Sequence, residues 1–359
     1  MKKRGNIKNI IIFTAIILVF LILSYIFYLN TSSILGYDLK NNPVQEPTTT
    51  CGDGTKNFEC SKTLPYFCEN GQLIEYASTC KCEKNTTQEG EKCIYEYQKN
   101  PKTITLDYII RGEENKINLN VYEDLVIYIE NLPKNIFSRG EDKSIRWDFK
   151  KRNINDIYQQ NLLKELVIKI QNLAENKDDQ ARIAISLVQN IPYEESEKTV
   201  FFNDEDTGAL YSRYPYEVLY DEKGICQEKS ELLGFLLKEL GFGFKIYYYQ
   251  QENHEAIGIK CPEEYSNEKD GYCFIETTGI SIVTNYQNTY QNIAGGILQS
   301  IPETIYQKDG ETFGENDMYE YDDAKKWMKI EKQLNEKQFI NIFNKKLRDS
   351  LILKYGIQN

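Results

Sequence analysis

The sequence predicts an α+β fold that follows a membrane-spanning helix and a small cysteine-rich module. Three observations lead to this prediction. An uncharged apolar run covers residues 10–29, six of the nine cysteines lie within residues 51–93, and strand-like alternation from residue 103 gives way to helical periodicity near residue 155. With 359 residues, of which 41% are hydrophobic, the chain is long enough for two or three domains with cores of their own.

The N-terminal apolar run, residues 10–29, is long enough to cross a bilayer as a helix. Residues 1–9 form a basic tail, so the positive-inside rule places the N-terminus in the cytoplasm and the bulk of the chain outside the cell. A cleaved signal peptide is the alternative, but it normally has a shorter apolar core and a small-residue cleavage site. We therefore expect an uncleaved single-pass anchor in the cell membrane, followed by a polar linker over residues 30–50.

The charge of the chain excludes one class of partner. The net charge is −11 and the pI is about 5.0. Basic residues are interspersed with Glu and Asp rather than gathered in a stripe, which is typical of an ordinary solvated surface. We therefore expect no nucleic-acid partner.

The nine cysteines fall into three groups. Six are clustered in residues 51–93, two lie close together at Cys261 and Cys273, and Cys226 stands alone. Outside the cell, clustered cysteines indicate disulfides that stabilise a module too small to hold a core. Zinc is the alternative, but the paired spacing of zinc ligands is missing and the module has no histidine. Eight cysteines are therefore expected in disulfides of undetermined connectivity: Cys51, Cys60, Cys68, Cys80, Cys82, Cys93, Cys261 and Cys273.

The segment after the module, residues 103–150, is predicted to be rich in β-strands and to lead into the main domain. Its apolar residues alternate with polar ones in short runs, and a Gly-containing turn separates the first two runs. The predicted strands cover residues 103–110, 116–122 and 125–129.

The main domain is predicted over residues 151–310, with a helical tail over residues 315–359. Apolar residues spaced by three and four indicate helices, and a Gly closes the last of them at Gly241. The predicted helices of the domain cover residues 155–173, 178–191 and 227–240, with a loop over 196–215. The predicted strands cover residues 242–250, 254–260 and 272–278.

Cys226 is predicted to lie in the first turn of the Leu-rich helix, just after Gly224, which permits a sharp turn. The positive end of a helix dipole and a nearby imidazolium both favour the thiolate form of a cysteine. Four acids close in sequence would oppose the thiolate if they pointed at the sulfur: Asp221, Glu222, Glu228 and Glu231. The alternative is a buried structural cysteine, which is common in protein cores.

His254 is the single histidine of the chain, and it opens a predicted strand. Alternation places it on one face with Ala256 and Gly258, whose small side chains leave room for a helix end. Glu276 falls in the last predicted strand, where an acid among apolar residues needs a partner, and a histidine that it orients would be one. Taken singly, His254 reads as a surface or capping residue and Glu276 as an edge residue facing water.

Three stretches together resemble the transglutaminase-like superfamily, a papain-related fold, and in particular its exported microbial and archaeal members. They are RYPYEVLYDEKGICQEKSELLGFLLKELG, NHEAIGIK and YCFIETTG, and the lead-in QNIPY belongs to the same pattern. The resemblance implies a cysteine at a helix N-terminus packed on an antiparallel sheet, with a histidine and an acid on successive strands. The usual acid of the family is Asp, so Glu276 departs from the pattern.

The resemblance implies a thiol enzyme that acts on protein or peptide substrates through a thioester, and the predicted anchor over residues 10–29 would hold this enzyme on the outer side of the membrane. Cys226 would attack an amide or ester carbonyl, His254 would serve as general base and then general acid, and Glu276 would orient the imidazole. The backbone N–H of Cys226 would stabilise the oxyanion, and Gln189 and Tyr193 are further candidate donors. Neither a metal nor a cofactor is implied. Hydrolysis, as in a protease or amidase, is expected rather than cross-linking to lysine.

A non-catalytic cell-surface scaffold is the alternative function. In that case the cysteine-rich module would bind a surface partner and the enzyme-like domain would only support it. The Glu in place of Asp and the acids near Cys226 favour this alternative.

The two C-terminal strands of the domain contain a conflict. If they form a simple hairpin, His254 opposite Glu276 and Cys261 opposite Cys273 belong to registers four residues apart. Four residues are about 13 Å of strand, whereas a disulfide spans a Cα separation of at most about 7 Å. We therefore expect the chain to leave the strand at Cys261 and fold back, or one of the two pairings to be wrong.

Overall fold

The computed structural model describes residues 50–132, 143–202, 205–266, 269–284, 290–291, 297–337 and 339–357. The predicted basic tail at 1–9, the predicted anchor at 10–29 and nearly all of the linker at 30–50 lie outside these ranges. Within them, the helices are either too short or too polar to span a membrane. The anchor therefore stays a prediction from the sequence.

The cysteine-rich module consists of two short antiparallel hairpins joined by one helical turn. Three disulfides connect its cysteines in the pattern Cys51–Cys68, Cys60–Cys80 and Cys82–Cys93. Every sulfur of the module is therefore engaged in an S–S bond, which leaves no thiolate to bind zinc. The elements are β1 (Tyr66–Glu69), β2 (Gln72–Glu75), α1 (Ala77–Cys80), β3 (Thr86–Glu89) and β4 (Lys92–Tyr95).

A long antiparallel hairpin follows, built from β5 (Pro101–Ile110) and β6 (Glu113–Tyr122). The third predicted strand, residues 125–129, is wrong, because the chain there forms helix α2 (Glu123–Glu130). Leu125 and Ile129 are one turn apart and buried on the same side, and two acids occupy the first turn, where the helix dipole favours negative charge. The prediction of a β-rich segment over 103–150 therefore holds only as far as Tyr122.

Four helices and a hairpin lead from there to the helix of Cys226. Asp156 and Asn176 cap two of the helices by accepting hydrogen bonds from backbone N–H groups of their first turns. The predicted loop at 196–215 contains a two-stranded hairpin. The elements are α3 (Lys143–Asn155), α4 (Ile157–Leu173), α5 (Lys177–Asn190), β7 (Thr199–Phe202), β8 (Glu205–Leu210) and α6 (Pro215–Asp221).

Helix α7 (Cys226–Leu240) is fixed by a stripe of fully buried leucines that face strands and neighbouring helices. Burial of one such side chain stabilises the fold by about 1.5–3 kcal/mol relative to exposure. The helix ends at Gly241, whose φ of 96° is left-handed and costs a glycine little. Because the stripe holds the whole helix, its N-terminal residue Cys226 has a defined position. The buried leucines are Leu232, Leu233, Leu236, Leu237 and Leu240.

The sheet beneath α7 is four-stranded and antiparallel, with the order β11–β10–β9–β14. Together with the helices around it, this sheet gives the α+β architecture that the sequence predicts. The strands of this region, including a separate two-stranded ladder, are β9 (Phe244–Tyr249), β10 (His254–Lys260), β11 (Tyr272–Ile275), β12 (Tyr290–Gln291), β13 (Ile297–Leu298) and β14 (Glu303–Lys308).

The C-terminal tail forms two helices, α8 (Tyr319–Lys337) and α9 (Ile342–Tyr355), which pack back onto the preceding elements. The backbone N–H of Gly112, in the β5–β6 turn, donates to the Lys354 carbonyl over 2.9 Å. Buried Arg182 of α5 pairs with Glu320 of α8.

Thiol counting tests the cysteine pairing. The unfolded, non-reduced chain should release one thiol, because Cys226 is free while the other eight cysteines form four disulfides. A chromogenic thiol reagent in guanidinium chloride measures the count. Cys226→Ser should give no thiol, and full reduction of the wild type should give nine. More than one thiol without reductant would contradict the pairing.

Candidate active site

The N-terminus of α7 is held by a buried acid–arginine pair. Glu228 accepts hydrogen bonds from the backbone N–H of Ile225 at 3.0 Å and of Arg213 at 2.8 Å. The Arg213 guanidinium lies 3.1 Å from the same carboxylate and 2.8 Å from Asp221. These contacts fix the turn before Cys226, which begins the helix and is partly exposed.

The acids that the sequence places around Cys226 are therefore largely engaged elsewhere. Asp221 and Glu228 both pair with Arg213, and Glu231 pairs with buried Lys150 at 2.7 Å. A carboxylate whose charge is balanced by a cation opposes a nearby thiolate much less than a free one. The paired acids are therefore compatible with a thiolate at Cys226.

His254 and Glu276 form a buried contact at the end of the sheet where β10 begins and β11 ends. The Nε2 of His254 lies 2.8 Å from Oε2 of Glu276, and the side chains are 5% and 6% exposed. With a carboxylate as partner, Nε2 carries the hydrogen, which leaves Nδ1 to face elsewhere. The other oxygen, Oε1, accepts from the backbone N–H groups of Thr277 at 3.0 Å and Thr278 at 2.9 Å, and from the Thr278 hydroxyl at 2.6 Å. Glu276 is thus satisfied on both oxygens.

The register between β10 and β11 resolves the conflict between the triad and the disulfide. Ile259 is opposite Cys273, and the same register continued past the end of β11 would place Ala256 opposite Glu276. Both His254–Glu276 and Cys261–Cys273 are therefore diagonal pairs, offset by two residues in opposite directions and on opposite faces. The disulfide has a Cα separation of 5.8 Å.

Two expectations from the sequence are corrected by this register. The assumption that each pair lies directly opposite is wrong, since the true register falls between the two that it implied. Glu276 also lies just after β11 rather than within a strand. The strand β10 ends at Lys260, but the N–H of Cys261 still donates to the Gly271 carbonyl at 2.8 Å, which continues the same register by one residue. That position lets the disulfide form without disturbing the ladder.

Both of the other candidate catalytic residues act on the imidazole of His254. Burial acts to lower the pKa of His254, but hydrogen bonds to Cys226 and Glu276, together with the charges of these two residues, raise the pKa to about 10. The imidazole is therefore protonated at neutral pH. A nearby protonated imidazole favours the thiolate form of a cysteine, and the same imidazole is bonded to Glu276.

Two hydroxyl groups that sequence reasoning missed join the nucleophile to the acid. The Thr277 Oγ1 lies 3.1 Å from Ser230 Oγ and 3.4 Å from the carbonyl oxygen of Cys226. Ser230 and Thr277 are fully buried. They therefore fasten the first turn of α7 to the residue that follows Glu276. The only sequence signal for them is the Thr-Thr pair after Glu276.

Gln189 is not an oxyanion donor, so that prediction is wrong. Its amide nitrogen donates to the carbonyl of Glu276 at 2.9 Å and to that of Ser281 at 3.1 Å. Both N–H groups are consumed by these backbone acceptors, and none is left for a substrate. Gln189 instead holds the backbone that carries Glu276.

Tyr193 remains a candidate donor. Its backbone pairs with Gly224, two residues before Cys226, and its side chain is 39% exposed. Burial, the charge of Cys226 and nearby acids raise the pKa of Tyr193 to about 12. Its hydroxyl therefore keeps its proton and stays able to donate a hydrogen bond at any physiological pH.

Comparisons with known proteins provide little beyond this geometry. No protein family and no curated protein matches the sequence. Among solved structures, calcium-bound LapG of Legionella pneumophila aligns with a TM-score of 0.24 and 14% identity, covering 52% of this chain and 99% of that one. At such a TM-score and identity the likeness supports no conclusion on function, which has to come from the site itself.

The single histidine allows a direct test of the His254–Glu276 contact. The imidazole of the folded protein should titrate near pH 10, against about 6.5 in the unfolded chain, as measured from its ¹⁵N chemical shifts. Glu276→Gln should lower this pKa because the charge is lost while the side-chain shape is kept. Since the folded pKa is raised, the imidazolium stabilises the fold fully below pH 6.5 and ceases to do so as the pH rises through 10. A folded-state pKa near 6.5 would refute the contact.

Thr278 offers a second test with a matched control. Thr278→Val removes the hydroxyl that donates to Glu276, and loss of a hydrogen bond to a charged group costs about 1.5–3 kcal/mol. The free energy of unfolding in urea should fall by that amount. Thr278→Ser keeps the hydroxyl and should lose less. Equal stability of the Val and Ser variants would show that the hydroxyl contributes nothing.

Proposed function

We propose that this protein is a thiol enzyme of the transglutaminase-like type, which cleaves or transfers amide bonds of protein or peptide substrates through a thioester. The observation that carries the proposal is the buried contact of His254 with Glu276, together with the effect of Cys226 on the pKa of the same imidazole. A structural cysteine has no need of a buried histidine that is itself oriented by an acid. The position of Cys226 at the first residue of α7 supports the same conclusion.

The proposed reaction has two stages. In the first, the Cys226 thiolate attacks the carbonyl carbon, and the His254 imidazolium donates its Nδ1 proton to the departing amine as the C–N bond breaks. The product is a thioester on Cys226 and a neutral imidazole. In the second, His254 takes a proton from the incoming acceptor, which attacks the thioester and restores the thiolate and the imidazolium. Glu276 holds the ring through Nε2 in both stages.

Negative charge on the carbonyl oxygen during each stage needs hydrogen-bond donors. The backbone N–H of Cys226 belongs to the first turn of α7, where the helix offers no acceptor, and it supplies one donor. We assign the second to the Tyr193 hydroxyl, on the segment paired with Gly224.

Water is the proposed acceptor, which makes the enzyme a protease or amidase rather than a cross-linker. Location outside the cytoplasm is supported by the four disulfides, since these persist in oxidising compartments. Residues 10–29 would anchor the enzyme to the membrane. The scaffold alternative is weakened, because Glu276 reaches His254 and three of the four acids close to Cys226 in sequence are paired with cations.

Alkylation of Cys226 tests the proposal without knowledge of the substrate. At pH 6.5 an unperturbed thiol is only about 1% thiolate, so the native chain should react with iodoacetamide roughly ten- to a hundredfold faster than the same cysteine in the unfolded chain. Mass spectrometry of the non-reduced protein reports the labelled site. His254→Ala should remove the acceleration, and Cys226→Ser should remove the labelling.

Acyl transfer itself is tested with a peptide library. Incubation with hydroxylamine should yield hydroxamates from wild-type protein and none from Cys226→Ser, since hydroxylamine traps a thioester. Rapid alkylation without any hydroxamate would support a reactive thiol but not an acyl-transfer enzyme. Equal alkylation rates of wild type and His254→Ala would contradict the proposal and favour the non-catalytic scaffold.

A further inference from the structure

Lys229 is a fully buried lysine one turn after the proposed nucleophile. Cys226 and Lys229 are three residues apart in α7 and so lie on the same side of the helix. The Nζ of Lys229 donates to the Ile191 carbonyl at 2.5 Å. In the described part of the chain, no carboxylate comes within ion-pair distance of this amine. Burial of a lysine without a carboxylate partner is costly, so its presence here calls for an explanation.

The surroundings of Lys229 are the segments that carry the candidate catalytic residues. Ile191, which accepts from the amine, lies two residues beyond Gln189, whose amide holds the carbonyl of Glu276. On the other side, the next residue in the helix is Ser230, which contacts Thr277 beside Glu276. The residues next to Lys229 and next to its acceptor Ile191 are therefore bonded to the segment that carries the acid.

The charges that face Lys229 come from every element around it. Cys226 and Glu276 are the ones whose charge acts on the amine. Glu228 on the same helix is already bonded to Arg213, and Glu194 on the neighbouring segment pairs with Lys223 at the surface. The remaining titratable groups near the site are His254 of β10 and Tyr193.

We propose that Lys229 is a positioning residue whose buried ammonium balances the combined negative charge of Cys226 and Glu276, and so keeps the nucleophile reactive at acidic and neutral pH. With a thiolate, a carboxylate and an imidazolium, the site would otherwise have one uncompensated negative charge. The inference deepens the proposed thiol chemistry and rests on it. Lys229 transfers no proton to the substrate in this scheme, since its amine is directed at the Ile191 carbonyl.

The protonation of Lys229 itself is sensitive to pH near neutrality. Burial lowers the pKa of Lys229 to about 7, against the opposing effect of the charges on Glu276 and Cys226. The ammonium is therefore present below pH 7 and is lost above it. Its support for the thiolate is strongest on the acidic side, where an unassisted thiol is least ionised.

The test compares Lys229→Met, which keeps the shape and loses the charge, with Lys229→Arg, which keeps the charge. Alkylation of Cys226 by iodoacetamide is measured from pH 5 to 9 on the full chain. Lys229→Met should react about tenfold more slowly than wild type below pH 6.5, which equals a shift of about one unit in the acidic limb. Lys229→Arg should restore the wild-type alkylation rate on the acidic side of the pH profile. A residue that only filled space would move the overall rate but not the shape of the pH profile.

Stability provides a second measurement that does not depend on the thiol. Because the folded pKa of Lys229 lies below its value of 10.5 in the unfolded chain, the folded state binds fewer protons between pH 7 and 10.5. The free energy of unfolding of the wild type should therefore rise relative to that of Lys229→Met across this interval. If Lys229→Met does not fold, Lys229→Gln, which keeps an N–H donor near the Ile191 carbonyl, is measured in the same way.

The outcomes are distinguishable. A reactive wild type with a shifted profile in the Met variant and its recovery in the Arg variant supports the inference. A reactive wild type whose profile is unchanged by Lys229→Met overturns the inference and leaves the proposed thiol chemistry intact. A wild type no more reactive than the unfolded chain overturns both.

Discussion

The burial of one carboxylate is the constraint on which the rest of the site depends. Glu276 is 5% exposed, and a buried carboxylate is stable only if its oxygens are hydrogen-bonded and its charge is balanced. One oxygen is satisfied by the chain that follows it, which folds into a tight turn at Thr277 and Thr278. The other oxygen is left for His254. The acid thereby sets the orientation of the only histidine in the protein, whose pKa Cys226 also raises.

The frame around these three residues consists of contacts that make the site rigid from several directions. Gln189 holds the backbone of Glu276 from α5, and Thr277 and Ser230 join the same segment to α7. The leucine stripe of α7 anchors the helix against the sheet, so the nucleophile is positioned by the core rather than by a loop. Arg213 and Lys150 pair with acids near the helix start and so reduce the negative charge that acts on the sulfur. Side chains locked in this way are what a preorganised site requires.

Comparison of sequence and structure shows where local patterns are sufficient. The α7 helix and its end at Gly241 were predictable, because leucine periodicity and a left-handed glycine are local signals. The start of β10 at His254 was predictable for the same reason. The strand predicted for residues 125–129 was wrong, since a short apolar run fits a strand or a helix equally well and only packing decides between the two. Gln189 misled because its amide hydrogen bonds go to residues almost a hundred positions away, which no local pattern records.

By itself, the sequence determined the α+β class, the eight cysteines suited to disulfides and the residue types able to act as nucleophile, base and acid. Those properties follow from composition and local periodicity. The tertiary structure alone decided the disulfide connectivity, the diagonal register that lets Glu276 and Cys261–Cys273 coexist, and the burial of Lys229 against the Ile191 carbonyl. These depend on which distant segments meet, and on the requirement that each buried polar group there finds a partner. The lone histidine was evident from the sequence, but its protonation was set by two partners that only folding brings to it.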